Sequence, residues 1–205
     1  MVIEFLKYVL SVLIHLAEYS IVPLIWWLIT ARKKENFFSW LGLKKPEPEG
    51  SVLKTILIVV GALLVYISAA TVAVMNYRGK VTLAGENFKG YGLAGIPFII
   101  LMAYIMTGLS EEIFFRGFLL KRIQNKFGFL AGNITQALIF GLVHGIPFGL
   151  VTHSWIIGIA LTFFPGALGF VVGWVNEKRM GGSIIPTWLL HSTMNLAAGI
   201  VAMLI

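Results

Sequence analysis

Cysteine and aspartate are both missing from these 205 residues, and charge of either sign is scarce, at 12% against 58% hydrophobic residues. Without cysteine there is no disulfide framework, thiolate metal site or cysteine nucleophile. Without aspartate there is no aspartyl dyad and no triad oriented by Asp. The nine acidic residues are all glutamates: Glu4, Glu18, Glu35, Glu47, Glu49, Glu86, Glu111, Glu112 and Glu177. Soluble domains carry about a quarter of their residues as charges, so this balance points to a chain whose solvent is lipid. The H-E-x-x-H zinc pattern and the G-x-S-x-G elbow are absent as well.

What is present is a succession of apolar runs near the ~20 residues needed to cross the hydrocarbon. They predict an all-α fold, a polytopic transmembrane bundle of about six helices. Residues 1–205 read as one integral membrane domain with no soluble domain attached. Residues 1–92 read as two N-terminal helices and loops, and residues 93–205 as the helical core in which any catalytic residues are expected. Helix one is expected over Ile3–Thr30, too long for a cleaved signal peptide. Ala31–Gly50 reads as a basic linker in which Phe37, Phe38, Trp40 and Leu41 suit an interfacial segment. Helix two follows over Leu53–Met75, then a polar loop over Asn76–Tyr91. Helix three is expected over Ala94–Gln124 and helix four over Phe129–His144, stopped by G-I-P-F-G. Helix five spans Trp155–Val175 with a kink at Pro165, and helix six runs from Ile184.

A net charge of +7 could suggest nucleic acid, but the basic residues lie in short clusters between apolar runs, where orientation and anionic lipid account for them. No nucleic-acid partner is expected. Counting Lys54 and the basic residues after helices one, three and five against Lys7, Arg78, Lys80 and Lys89 places both termini outside. Asn133-Ile134-Thr135 resembles a glycosylation sequon but falls within helix four.

The informative charges are those inside the apolar runs, since an ionisable group at bilayer depth costs about 2.5–3.5 kcal/mol on insertion scales. S-E-E-I-F-F-R-G-F, Ser110 to Phe118, holds three of them. Glu112 and Arg116 are four apart, so they share a helix face and can pair, with the acid on the favoured N-terminal side. Glu111 is turned about 100° away. Phe114, Phe115 and Phe118 read as packing or lipid-facing. Helix four offers Phe140 and His144, and helix six His191 and Asn195, each pair four apart. A turn near Phe127 divides the 33 residues from Glu111 to His144 about equally, so both lie about 24 Å from that turn. His15 pairs with Glu18 on helix one.

E-E-I-F-F-R (Glu111 to Arg116) resembles the E-E-x-x-x-R motif of the CPBP family. F-G-L-V-H (Phe140 to His144) resembles its F-x-x-x-H motif, and H-S-T-M-N (His191 to Asn195) its H-x-x-x-N/D motif. That family comprises type II CAAX prenyl endopeptidases and bacteriocin-processing or Abi-type membrane proteases. The match covers about Ser110 to Leu196 and keeps the family's order. The resemblance implies an intramembrane endopeptidase in which Glu111 activates a water with His144, while His191 and Asn195 stabilise the oxyanion. Glu112, Arg116 and Phe140 would support the site.

The family has also been described as metalloproteases, and Glu111, His144 and His191 could hold Zn2+. Asn195 is a poor ligand and water activation needs no metal, so none is expected to be required. The expected partners are the lipid bilayer and a membrane protein or peptide, of CAAX type or a bacteriocin-like precursor. The expected location is a prokaryotic cell membrane, with multiple passes. The alternative is a non-catalytic membrane scaffold or immunity protein of the same fold. A proton-coupled transporter is weaker, because no inverted repeat is visible.

Overall fold

The computed structural model describes residues 2–77 and 84–204. Arg78 and Lys80, used in the charge comparison, lie outside the described residues. Seven helices account for almost all of the rest: α1 (Val2–Thr30), α2 (Phe37–Leu41), α3 (Val52–Tyr77), α4 (Gly92–Phe127), α5 (Phe129–Thr152), α6 (Trp155–Arg179) and α7 (Ile185–Leu204). All except α2 are long and apolar enough to cross a membrane, as expected for an all-α bundle. This follows from the solvent: in hydrocarbon no water satisfies the backbone, so each crossing segment must close its own hydrogen bonds. The large apolar side chains of α1 and α3, such as Leu6, Leu10, Leu57 and Leu64, are exposed because lipid covers them.

The chain divides into two compact units that alternate along the sequence. The first holds residues 2–45, 84–118 and 184–204. Its core has two aromatic centres: Trp40, Leu41, Ile113 and Phe118, and Phe88, Phe98, Ile99 and Met102. Phe115 and Phe118 are buried and Phe114 packs beside them, so all three aromatics of the motif helix serve packing. Helix α2 exposes Phe38 and buries its other end. Asn36 caps it, Gly42 ends it at φ +89°, and Trp40 and Leu41 turn into the core. Gly117 permits this approach, because a Cβ there would stand 2.8 Å from the Leu41 carbonyl. Helix α7 comes equally close to α4, where a Cβ on Gly108 would lie 2.2 Å from Ser192 Oγ.

The second unit holds residues 46–77 and 119–183. Helices α5 and α6 meet there along a seam of small residues. A Cβ on Gly141 would stand 2.1 Å from the Thr162 carbonyl oxygen, and one on Gly145 2.3 Å from the Gly158 carbonyl oxygen. Contact between backbones is how membrane helices gain dispersion energy when burial offers no hydrophobic gain. Asn133 and Gln136 lie fully buried in this seam. Asn133 donates to the Phe170 carbonyl and Gln136 to the Gly169 carbonyl, each at 2.9 Å. The sequon-like asparagine therefore has a packing role.

G-I-P-F-G does not stop α5, which continues through Pro147 to Thr152. Glycine and proline break helices where water can take the released carbonyl; here Gly145 and Gly149 instead let α6 approach closely. The helix ends at His153, in the left-handed conformation at φ +52°, and Ser154 caps the next one. Pro165 is likewise contained within α6. Helix α4 is the irregular one. It opens with a 3-10 turn and contains two π-helical stretches, Met102–Leu109 and Glu112–Leu120, leaving Ser110 and Glu111 between them.

Candidate active site

π-Helical turns bond five residues back rather than four and recur at functional positions in helices. In α4 the hydroxyls follow that pitch: Thr107 Oγ1 donates to the Met102 carbonyl at 2.9 Å and Ser110 Oγ to the Ile105 carbonyl at 3.0 Å. Between the two π stretches Glu111 keeps 15% of its side-chain surface exposed, while Glu112 is fully buried.

Glu112 does pair with Arg116, with Oε1 3.2 Å from Nη1. Its other oxygen accepts from Thr187 Oγ1 at 3.1 Å. Helix α7 also brings in His191, whose Nδ1 lies 3.4 Å from Glu112 Oε1 and whose Nε2 lies 3.8 Å from Glu111 Oε2. Spacing alone linked Glu112 only to Arg116; in the folded chain one imidazole spans both carboxylates. Glu111 Oε2 is buried and makes no hydrogen bond to the protein. The cluster holds two carboxylates, a guanidinium and an imidazole. The Arg116 guanidinium beside Glu112 is what permits its full burial, since a lone buried charge costs several kcal/mol.

Asn195, one turn after His191, donates from Nδ2 to Thr107 Oγ1 at 2.9 Å. Trp188 Nε1 donates to the Tyr104 carbonyl at 2.7 Å, and the Tyr104 and Thr193 hydroxyls lie 3.2 Å apart. These bonds tie the first π stretch of α4 to the helix that carries both motif residues. Helical spacing did not single out Thr107, Thr187 or Trp188. The available signal was weak: Thr107 precedes Glu111 by four residues and Thr187 precedes His191 by four.

His144 and Phe140 belong to the second unit. There His144 Nδ1 lies 2.7 Å from the Phe140 carbonyl, and the two rings are 4.5 Å apart. A carbonyl only accepts, so Nδ1 carries the proton and Nε2 of the neutral ring is left with its lone pair. His15 pairs with Glu18 at 3.7 Å as expected, and its ring lies 4.8 Å from that of Tyr19, which in turn lies 5.9 Å from Phe114 of the motif helix.

No group of three or more His, Cys, Asp or Glu residues gathers as a metal site among the described residues. Of the three candidate ligands, Glu111 and His191 lie in the first unit and His144 in the second, and Glu112, next to Glu111, is committed to Arg116 and Thr187. No step below is routed through a metal.

Comparison with curated proteins and with solved structures gives no match. Comparison with family models gives one, Type II CAAX prenyl endopeptidase Rce1-like, over residues 93–197. That segment is just over half of the chain and contains every motif residue described above. Six candidate membrane spans agree with the integral, multi-pass character of a membrane protease family. The chain belongs to the Rce1-like, type II CAAX prenyl endopeptidase family within the CPBP group of membrane proteases.

Proposed function

We propose that this protein is an intramembrane endopeptidase that hydrolyses a peptide bond of a membrane-associated protein or peptide, either a CAAX-type substrate or a peptide precursor. Glu111 and His144 activate the water, and His191 and Asn195 hold the oxyanion. The observation that carries this reading is His191, set between the carboxylates of Glu111 and Glu112 at 3.8 and 3.4 Å.

The chemistry follows from the donors and acceptors. Glu111 Oε2 accepts no hydrogen bond from the protein and the side chain keeps 15% of its surface exposed, so the carboxylate is available to accept a proton from water. His144 Nε2 offers a second lone pair, because Nδ1 is held by the Phe140 carbonyl. The water oxygen bonds to the scissile carbonyl carbon, and the carbonyl oxygen takes the negative charge. An ionised Glu112 only accepts, so His191 carries a proton on Nδ1, and donating from Nε2 as well requires the imidazolium. Asn195 supplies a neutral N–H, and removing one such donor costs about 3–4 kcal/mol in comparable sites. The proton held at Glu111 then passes to the leaving nitrogen as the C–N bond breaks, releasing an acid and an amine.

The test is cleavage of a membrane-tethered peptide reporter by the full chain in liposomes. Glu111→Gln should abolish cleavage while the melting temperature in detergent stays within about 2 °C of wild type, a surface-like effect. Retention of full activity would overturn the assignment of Glu111, and no cleavage by the wild-type chain would favour the scaffold reading.

A further inference from the structure

We propose that Thr107, which lies outside all three motifs, is a positioning residue that decides which end of the Asn195 amide faces the reacting carbonyl. This rests on the reading of Asn195 as an oxyanion donor. A carboxamide presents a donor from one end and an acceptor from the other, and a half-turn about its terminal torsion exchanges them. An oxyanion hole needs the donor, and the acceptor in its place would repel the developing charge.

The direction of hydrogen bonding at Thr107 settles the choice. Its hydroxyl donates to the Met102 carbonyl at 2.9 Å, and the Ala103 carbonyl at 3.5 Å is the other acceptor it meets among the described residues. Both are backbone carbonyls and neither can donate. The single hydroxyl proton is thereby committed, and Oγ1 meets Asn195 only as an acceptor. Asn195 must turn Nδ2 toward it, at 2.9 Å, which keeps one N–H on Thr107 and directs the other away from it. The π pitch of Met102–Leu109 places the Met102 carbonyl five residues back, within reach of the Thr107 hydroxyl. Trp188 and Tyr104 brace the same stretch against α7, so the threonine and the asparagine are held in register. The backbone of a π turn thus fixes the polarity of a side chain on another helix.

The test compares Thr107→Val, which keeps the shape and removes the hydroxyl, with Thr107→Ser, which restores it, in the full chain. On the reporter, Thr107→Val should lower kcat about tenfold with KM within about twofold, a loss confined to the transition state. Thr107→Ser should recover kcat to within about threefold, and Thr107→Val should add little in an Asn195→Ala background, as coupled residues do. Equal losses from Thr107→Val in both backgrounds, or no loss at all while Asn195→Ala is impaired, would overturn the proposal. Full activity of Asn195→Ala would instead overturn the oxyanion reading. A readout independent of turnover is the Asn195 side-chain 1H–15N pair, assigned by its absence in Asn195→Ala. It should shift in Thr107→Val and return in Thr107→Ser, and an unmoved signal in Thr107→Val would count against the positioning role.

Discussion

His191 Nδ1 stands 3.4 Å from Glu112 Oε1, the same oxygen that lies 3.2 Å from Arg116 Nη1. One carboxylate oxygen therefore serves an arginine on its own helix and a histidine on another. Glu112→Gln should weaken the His191 contact without removing its bulk. We expect kcat of the reporter reaction to fall about tenfold or more, the usual cost when a partner orienting a ligand or catalytic imidazole is lost. Steady-state kinetics checks this, and unchanged kcat would show that His191 is held by other means.

Arg116→Met should be harsher on stability than on any single kinetic constant. Its side chain is 3% exposed and its departure leaves Glu112 ionised at depth. The expected loss is about 3–5 kcal/mol, as for other broken buried pairs. Pairing it with Glu112→Gln should recover most of that loss, which detergent melting curves of the single and double variants would reveal.

Thr187→Val removes the hydroxyl that donates to Glu112 Oε2 at 3.1 Å. A hydrogen bond to a charged acceptor is worth about 1.5–3 kcal/mol, and the variant should lose an amount in that range while Thr187→Ser loses less than about 1 kcal/mol. The ordering of the two variants in a chemical unfolding series is the check.

Gly145→Ala should destabilise the second unit by at least about 1–3 kcal/mol, the range for overpacking, because the new Cβ meets the Gly158 carbonyl oxygen at 2.3 Å and backbone cannot yield cheaply. Gly61→Ala is the control, as its Cβ meets nothing within 4 Å. That substitution should be neutral or stabilising, by up to about 1 kcal/mol. Reversal of this ranking in thermal melts would contradict the close α5–α6 seam.

Lys121 Nζ donates to Glu177 Oε1 at 2.5 Å and to the Gly182 carbonyl at 2.8 Å, and both charged groups are 10% exposed. Lys121→Met should strand Glu177, whose remaining recorded partner is Gln124. We expect a loss of about 2–4 kcal/mol, between the surface and fully buried cases. Lys121→Met combined with Glu177→Gln should be less damaging in the same melting assay.

The membrane helices were legible because lipid demands long apolar runs, and the Glu112–Arg116 and His15–Glu18 pairs because helical spacing places them on one face. G-I-P-F-G misled because its usual helix-stopping sense assumes water at the break, whereas here another helix fills the notch. That Trp40 and Leu41 would turn into the core was not legible, because nothing in their own segment signals that Gly117 admits them. Thr107 and Thr187 were silent because a threonine in an apolar run looks the same whether it bonds its own helix or another. The π pitch of α4 was invisible for a related reason: its apolar content suits either pitch. His191 reaching two glutamates depended on how α7 crosses α4, which no spacing within one helix can express.

The two π stretches of α4 make Glu111 a matter of phase. Each wide turn accommodates a residue that an ordinary α-helix would have no place for. Deleting one residue within Met102–Leu109 with the pitch otherwise kept would swing everything beyond it by one residue's turn, on the order of 100°, about the helix axis. Glu111 would then look elsewhere with its sequence motif intact. A folded deletion variant with all three motifs and no proteolysis would separate the letters of the motif from the angle at which the helix displays them.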